Sequence, residues 1–281
     1  MNSYIQFPAL GINLNIDRVA FSIGGMAVYW YGIIIGIGLL LGTYVAQRIS
    51  RTKKLPNDTI FDIVLFGLPV SVVCARLYYV IFEWDYYGNN LGEIFNIRNG
   101  GIAIYGCIIG GIATALVYCK VKKVNFLKVA DSASFGLVIG QIIGRWGNFF
   151  NQEAFGGNTT LPWGMTGSGI VKSLEQMQRQ GMAVSAELPV HPTFLYESLW
   201  NVGVLGMMWY ILKKKHKFDG MEFCTYIGLY GLGRFWIEGL RTDSLMIGSL
   251  RISQIVALIC IMATVVASLY LSVKAKEDKN V

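Results

Sequence analysis

Long apolar stretches alternate with short polar segments along nearly the whole chain. A helix that crosses a bilayer needs about 20 predominantly apolar residues, and seven stretches come close to or exceed that length. The predicted spans are Met26–Gln47, Ile60–Phe82, Ile102–Cys119, Val129–Gly144, Phe194–Leu212, Met221–Glu238 and Ile252–Val273. The fourth span is the shortest and also carries Asp131. The pattern therefore predicts an all-α polytopic membrane protein with about seven transmembrane helices.

The composition supports one membrane domain covering residues 1–281, because 54% of the residues are hydrophobic and only 15% are charged. Residues 145–193 are the longest stretch between predicted spans, and we expect them to form a signature loop and a small extracytoplasmic head. Residues 1–25 lack a basic start followed by a short apolar stretch, so no removable signal peptide is expected.

Basic residues indicate the orientation. Fifteen of the 24 lysines and arginines fall in alternate connections, and the positive-inside rule makes that side cytoplasmic. The amino terminus is then outside and the carboxyl terminus inside. The four clusters lie within 48–54, 120–128, 213–217 and 274–279.

Eight of the nine remaining basic residues are arginines. A planar guanidinium forms paired hydrogen bonds with phosphate or carboxylate oxygens, which suggests anion binding on the outer side. Nonspecific contact with lipid headgroups is an equal alternative for Arg18, Arg179 and Arg251. That alternative is weaker for Arg145 and Arg234, which border apolar helix interiors. The nine are Arg18, Arg76, Arg98, Arg145, Lys172, Arg179, Arg234, Arg241 and Arg251.

The densest polar motif runs from Gly144 to Gly157, where the fourth predicted span ends. It places one arginine, two asparagines and one glutamate among glycines and aromatic residues. Polar crowding of this kind at a membrane boundary indicates a functional site. A double glycine, Gly100-Gly101, precedes the third span and predicts irregular backbone lining a cavity.

Three other segments face the same outer side. Tyr29–Gly32 opens the first span, and an interfacial aromatic belt is a strong alternative interpretation. The segment 191–197 enters the fifth span and contains the outer-side His191. Arg234, Glu238 and Arg241 are spaced to share one helix face and to pair, which a purely structural salt bridge would also explain.

Cysteines and histidines do not suggest a metal. The five cysteines are scattered without Cys-x-x-Cys spacing, and one of only two histidines lies in a cytoplasmic lysine run. We therefore expect metal-free chemistry and no cofactor.

The run Gly144-Arg145-x-Gly147-Asn148-Phe149-x-Asn151-x-Glu153-x-x-Gly156 resembles the signature of bacterial phosphatidylglycerol:prolipoprotein diacylglyceryl transferases. Tyr31-Gly32, the double glycine, His191-Pro192 and Arg234–Arg241 resemble other blocks of that family in the same order. The resemblance implies a multi-pass enzyme of the bacterial cytoplasmic membrane, with seven helices and its active site toward the outer face.

The resemblance also implies the reaction and its partners. The diacylglyceryl group of the membrane lipid phosphatidylglycerol would move to the lipobox cysteine in the signal peptide of a prolipoprotein. A thioether would form and glycerol phosphate would be released, as the first step of lipoprotein maturation. No nucleic acid partner is expected.

Site residues follow from the resemblance and from their chemistry. The family motif maps Arg145 and Arg234 to phosphate recognition, because the leaving phosphate gains negative charge during the reaction. The proposed catalytic residues are Arg145, Arg234, Tyr105, His191 and Glu238. The proposed substrate-binding residues are Arg145, Asn148, Asn151, Glu153, Gly156, Tyr31, Arg98 and Arg241.

The general base is left open by the sequence. Many family members have histidine where this chain has Tyr105, and a phenol with a pKa near 10 is a poor base at neutral pH unless a guanidinium lowers that pKa. The alternatives are Tyr105 assisted by Arg98 or Arg145, His191, Glu238, or a route without a base in which arginines stabilise the thiolate.

Two other functional classes are alternatives to this enzyme. A transporter or receptor for an anionic solute would use the outer arginines, but it predicts internal repeats, and none is seen. Another phospholipid-modifying enzyme, such as a headgroup phosphotransferase, would normally contain a closely spaced aspartate set, which the sequence lacks. Neither class accounts for the whole run from Gly144 to Gly157.

Overall fold

A computed structural model describes residues 4–97, 100–242, 246–248 and 250–280. Within these residues the chain is mostly helical, with short strands in some of the connections between helices. The helices are α1 Trp30–Thr52, α2 Thr59–Phe82, α3 Trp84–Tyr87, α4 Ile104–Lys122, α5 Phe126–Asn151, α6 Ser168–Arg179, α7 Thr193–Tyr210, α8 Met221–Glu238 and α9 Ile252–Asn280. The strands are β1 Tyr4–Phe7, β2 Ile12–Asn15, β3 Val19–Ile23, β4 Met26–Tyr29, β5 Thr166–Gly167, β6 Met246–Ile247 and β7 Leu250–Arg251.

Each predicted span overlaps one helix. Five of these helices, α1, α2, α4, α5 and α9, are long and apolar enough to cross a membrane. Helices α7 and α8 have 18 residues each, but both carry polar residues. Glu197 and Asn201 interrupt α7, whereas Glu222, Arg234 and Glu238 interrupt α8, and these side chains lower the hydropathy of the two helices. The five long apolar helices confirm the prediction of a mostly helical, polytopic membrane protein.

Two span boundaries were wrong in ways that affect the site. The first span begins at Trp30 and not at Met26, because residues 26–29 form β4 and pair with β3 across Gly24-Gly25. Both of these glycines have positive φ, as a two-residue hairpin turn requires. The fourth span extends from Phe126 to Asn151, beyond the predicted end at Gly144.

Small sheets refine the all-α prediction. Strands β1, β2 and β5 form a three-stranded antiparallel sheet in the order β2-β1-β5, while β3 pairs with β4 and β6 pairs with β7. These strands are only two to five residues long, so none gives a sustained alternating pattern in the sequence.

Contacts within the chain define two compact units. Unit 1 comprises Met1–Tyr44 with Ser134–Val281, and unit 2 comprises Val45–Ala133. In unit 2, α2 packs closely against α4 at Gly106 and Gly110. A Cβ atom at Gly106 would lie 2.7 Å from the Cα of Ala75, so glycine permits this close approach. Lys53 and Asp131 form a buried ion pair of 2.8 Å in the same unit.

Arg76 organises the connection between α2 and α4. Its guanidinium donates to the carbonyls of Glu93, Ile94, Asn96, Gly100 and Gly101 at 2.6 to 3.1 Å. These five bonds match the five N–H groups of an arginine. Both glycines have positive φ, which confirms the irregular backbone predicted there. Arg76 was predicted among the outer anion-binding arginines, whereas its donors are all engaged with backbone.

A hydrophobic core in unit 1 joins strand β1 to the amphipathic helix α6. It includes Ile5 from β1 and Ile170 and Leu174 from α6. The same core includes Phe149 from α5 and Phe194 from α7, so it fixes the end of one helix beside the start of the other. The predicted site residues at this junction are Arg145, Asn148, Asn151, Glu153, Gly156 and His191.

Candidate active site

The last two turns of α5 carry the polar residues of the signature. Arg145, Asn148 and Asn151 are three positions apart and therefore lie on neighbouring positions of one helix face. The sequence suggested a loop after Gly144 because the apolar run stops there. The helix continues because Trp146 and Phe149 pack into an aromatic cluster with Phe194. Burial of the Phe149 and Phe194 rings stabilises this last part of the helix, which also carries polar side chains.

Glu153 is oriented by both asparagines immediately after the helix. The Nδ2 atoms of Asn148 and Asn151 each donate to Glu153 Oε1 at 3.1 Å. The backbone N–H of Glu153 donates to the Asn148 carbonyl at 3.1 Å. The carboxylate is thus held in one orientation beside the exposed end of α5.

Arginines from three parts of unit 1 converge on one buried carboxylate. Arg145 Nη2 lies 2.6 Å from Glu197 Oε2, and Arg234 Nη1 lies 2.9 Å from Glu197 Oε1. Arg241 Nη1 is 4.0 Å from the same Oε1. Arg234 also pairs through Nη2 with Glu238 Oε2 at 2.5 Å, as the four-residue spacing predicted. We call these five residues the arginine cluster.

The arginines of the cluster are partly exposed, whereas its carboxylates are buried. The side chains of Glu197 and Glu238 are 4% and 2% exposed, whereas those of Arg145 and Arg234 are 20% and 18% exposed. Three guanidinium charges and two carboxylates leave a net charge of +1. Guanidinium groups that are fixed by buried carboxylates and partly open to solvent are suited to bind a phosphate group through charge-assisted hydrogen bonds.

Glu197 is the residue that the sequence interpretation missed. It was noted only as the end of a segment entering the fifth span, with no role assigned. A signal was present, because a glutamate within an apolar span that contains no lysine or arginine needs a cationic partner from another helix. Ser198, its neighbour, donates to the Ile142 carbonyl at 3.0 Å and joins α7 to α5.

Gly156 and Gly157 connect three parts of the site. The backbone N–H of Gly156 donates to the backbone carbonyl of His191 at 3.0 Å, and that of Gly157 donates to the Leu240 carbonyl at 2.8 Å. Gly156 also forms a β-bridge with Arg241. A Cβ atom at Gly156 would lie 2.8 Å from His191 Cβ and 2.9 Å from the Leu240 oxygen. Glycine is therefore required at 156 by packing, which adds a structural reason to the predicted binding role.

Tyr31 lies in an open cleft beside the end of α5. The cleft has a volume of about 690 Å³ and is lined by Arg18, Tyr29, Tyr31, Asn151 and Glu153, among others. The Tyr31 ring packs over Gly147, where a Cβ atom would approach to 2.7 Å. The structure thus brings Tyr31 together with two predicted substrate-binding residues, and adds Arg18.

His191 is engaged by its neighbours. Its Nδ1 lies 3.2 Å from the hydroxyl oxygen of Tyr196, which accepts a hydrogen bond of 2.7 Å from Trp163 Nε1. Burial lowers the pKa of the His191 imidazole below its ordinary value of 6.5. The imidazole is therefore neutral at pH 7, with one ring nitrogen already in a hydrogen bond.

Tyr105 belongs to unit 2 and is the second residue of α4. Its side chain is exposed, and its ring lies 6.3 Å from the ring of Tyr78. Arg98, one of the two arginines expected to assist Tyr105, lies outside the described residues. The proposed role of Tyr105 remains a prediction.

Within the described residues, no group of three or more His, Cys, Asp or Glu side chains is arranged to hold a metal ion. The expectation of metal-free chemistry stays a prediction that activity measurements must test.

The match to known proteins is extensive. Residues 18–270 match the family model described as prolipoprotein diacylglyceryl transferase. The protein named phosphatidylglycerol–prolipoprotein diacylglyceryl transferase in Clostridioides difficile is 44% identical to this chain, over 94% of this chain and 98% of its own length. The Finegoldia magna relative is 46% identical over 94% of this chain and 97% of its own length. The Bacillus cytotoxicus relative is 44% identical over 96% and 98%, respectively. The chain belongs to the prolipoprotein diacylglyceryl transferase family.

Proposed function

We propose that this protein transfers the diacylglyceryl group of phosphatidylglycerol to the lipobox cysteine of a prolipoprotein. The convergence of Arg145, Arg234 and Arg241 on Glu197 is the observation that carries the chemical part of this proposal. The reaction needs negative charge to be stabilised where the phosphate leaves, and fixed guanidinium groups in a partly buried site supply that stabilisation.

The transfer step balances without a redox partner. The cysteine thiol loses its proton, and the sulfur forms a bond to the glyceryl carbon that carries the phosphate. The carbon–oxygen bond breaks, and its electron pair goes to the phosphate oxygen. The products are a thioether on the peptide and glycerol phosphate. Arg145 and Arg234 bind the phosphate oxygens during this step.

The neighbouring cleft has the chemistry to bind polar parts of the substrates. Tyr31, Asn151 and the oriented carboxylate of Glu153 offer hydrogen-bond donors and acceptors beside the end of α5. Asn148 lies about one helical turn from Arg145 and donates to the same Glu153 carboxylate as Asn151. A ligand bound to Arg145 can therefore extend along this helix face toward Glu153.

The proton acceptor is Tyr105, His191 or Glu238, or the arginines stabilise the thiolate directly. Because Glu238 is held at 2.5 Å by Arg234, it is better suited to orienting the guanidinium than to accepting a proton. His191 is neutral at pH 7 but has Nδ1 engaged with Tyr196. We favour an orienting role for Tyr105, since ionising a phenol at neutral pH requires a large lowering of its pKa.

We also propose seven membrane crossings, with the amino terminus outside and the carboxyl terminus inside the bacterial cytoplasmic membrane. The lysine cluster at 213–217 lies between the end of α7 and the start of α8. If α7 and α8 did not cross, the spans α1, α2, α4 and α5 would leave this cluster on the outer side. Two further crossings place all four basic clusters on the cytoplasmic side. The arginine cluster then faces outward.

The test is a reconstituted transfer reaction. Purified protein is incubated with phosphatidylglycerol vesicles and a lipobox peptide, and the peptide mass is measured. We expect a diacylglyceryl increment on the cysteine, and none on a matched peptide in which serine replaces that cysteine. Absence of the increment with the cysteine peptide, at conditions where the protein is folded, contradicts the proposed function.

A further inference from the structure

Glu197 occupies the centre of the arginine cluster although it cannot itself reach a bound anion. Its two oxygens separately contact Arg145 at 2.6 Å and Arg234 at 2.9 Å, and its side chain is 4% exposed. Arg145 is on α5, Arg234 is on α8 and Glu197 is on α7. One buried carboxylate therefore sets the separation of two guanidinium groups that belong to different helices.

The charge of the phosphate changes during the proposed reaction. A phosphodiester such as the lipid substrate carries one negative charge. The released glycerol phosphate is a monoester, and its second ionisation, with a pKa near 6, gives it a charge of about −1.5 to −2 at pH 7. A cluster of arginines consequently attracts the product more strongly than the substrate. Without a counter-charge, product release would become slow.

We propose that Glu197 is a positioning residue that fixes Arg145 and Arg234 and limits the affinity of the arginine cluster for the phosphate product. This inference rests on the proposed function. Glu197 reduces the positive charge of the cluster where two guanidinium groups meet. It therefore weakens the binding of the more highly charged product more than the binding of the substrate.

Glu238 does not share this position. Glu238 pairs with Arg234, four residues earlier on the same helix. This pair restrains one guanidinium within α8, whereas Glu197 joins arginines of two helices. The distinct feature of Glu197 is that both arginines predicted to bind phosphate depend on it.

The experiment compares Glu197→Gln with wild-type enzyme for inhibition by added glycerol phosphate. The substitution keeps the size of the side chain and removes its charge. We expect the inhibition constant for glycerol phosphate to fall by about tenfold or more, as one added charge in a partly screened site predicts. The KM for phosphatidylglycerol should fall less, and kcat should fall because product leaves slowly.

Glu222→Gln is the matched control. Glu222 is also a buried glutamate with a basic partner, since His216 Nδ1 lies 2.9 Å away. It is 16 residues from Glu238 on α8, which corresponds to about 24 Å along the helix. The same substitution at this position should leave the inhibition constant for glycerol phosphate within about twofold of the wild-type value, which is a small change in affinity. Glu197→Asp, which keeps the charge, should stay closer to wild type than Glu197→Gln.

An unchanged or higher inhibition constant in folded Glu197→Gln overturns the inference, even when wild-type enzyme transfers lipid normally. If Glu197→Gln does not fold, Arg241→Gln provides the test. This substitution lowers the positive charge of the cluster and leaves the contacts of Glu197 with Arg145 and Arg234 in place. The inhibition constant must then rise relative to KM, and equal changes in both refute the inference. Lack of transfer by wild-type enzyme would instead contradict the proposed function.

Discussion

Replacing Arg234 tests the arginine cluster most severely, because this side chain makes two ion pairs at once. Nη1 lies 2.9 Å from Glu197 and Nη2 lies 2.5 Å from Glu238. Arg234→Gln removes the charge, whereas Arg234→Lys keeps the charge but replaces a planar fork with a single ammonium group. The two variants therefore separate the contribution of charge from that of geometry.

The expected magnitude follows from burial of the partners. Loss of one oriented contact that stabilises charge in the transition state lowers the rate by about 10²- to 10³-fold. Removal of one partner of a buried ion pair typically destabilises a protein by roughly 3 to 5 kcal/mol. Glu197 still contacts Arg145 at 2.6 Å, so the stability loss should come mainly from Glu238 and lie near the lower limit.

The assay must distinguish inactivity from unfolding. Thermal unfolding in detergent gives the folded fraction, and the rate of diacylglyceryl transfer is then expressed per folded enzyme. We expect Arg234→Gln to lose at least about 100-fold, with Arg234→Lys intermediate in both stability and rate. Arg179→Gln, at an exposed position on α6, controls for the change in net charge. A rate per folded Arg234→Gln enzyme within tenfold of wild type would refute the proposed role.

Three further predictions concern the surrounding residues. Tyr105→Phe should lower transfer only modestly and Tyr105→His should remain active; a loss beyond about 100-fold in Tyr105→Phe, with unchanged lipid affinity, would identify a general base. Gly156→Ala should lower activity by at least about tenfold because its Cβ lies within 3 Å of two atoms, whereas Gly157→Ala, where the nearest atom is 4.0 Å away, should stay near wild type. Because burial lowers the pKa of His191, the unfolded chain binds its proton more readily. The free energy of unfolding should therefore decrease as pH falls from about 7 toward 5, and pH-dependent unfolding should show a weaker decrease in His191→Gln.

The sequence was sufficient to locate the seven helices that contain the predicted spans, because long apolar runs have few alternative structures in a membrane protein. It did not predict α3 or α6. The end of α5 at Asn151 could not be predicted from the apolar pattern. Arg145, Asn148 and Asn151 interrupt the apolar pattern, and their helical conformation depends on Phe149 packing against Phe194 from α7. Such a contact joins distant parts of the chain and has no local signature.

The structure brings several of the predicted site residues together, but the sequence did not predict most of the contacts between them. Spacing alone indicated that Arg234 and Glu238 would pair, and the structure confirms that pair. The role of Arg76 was misjudged, because an arginine that binds five backbone carbonyls resembles an anion-binding arginine in the sequence. Glu197 was missed because its partners, Arg145 and Arg234, come from other helices.

In the proposed reaction, guanidinium groups stabilise a phosphate leaving group while the peptide thiol forms a thioether. The most direct measurement uses phosphatidylglycerol labelled in its glycerol headgroup and follows both products during one experiment. We predict that labelled glycerol phosphate and peptide thioether appear in equal amounts at the same rate, and that both are lost together in Arg145→Gln. Thioether formed without release of labelled glycerol phosphate, or undiminished formation of both products by Arg145→Gln, would contradict this reaction.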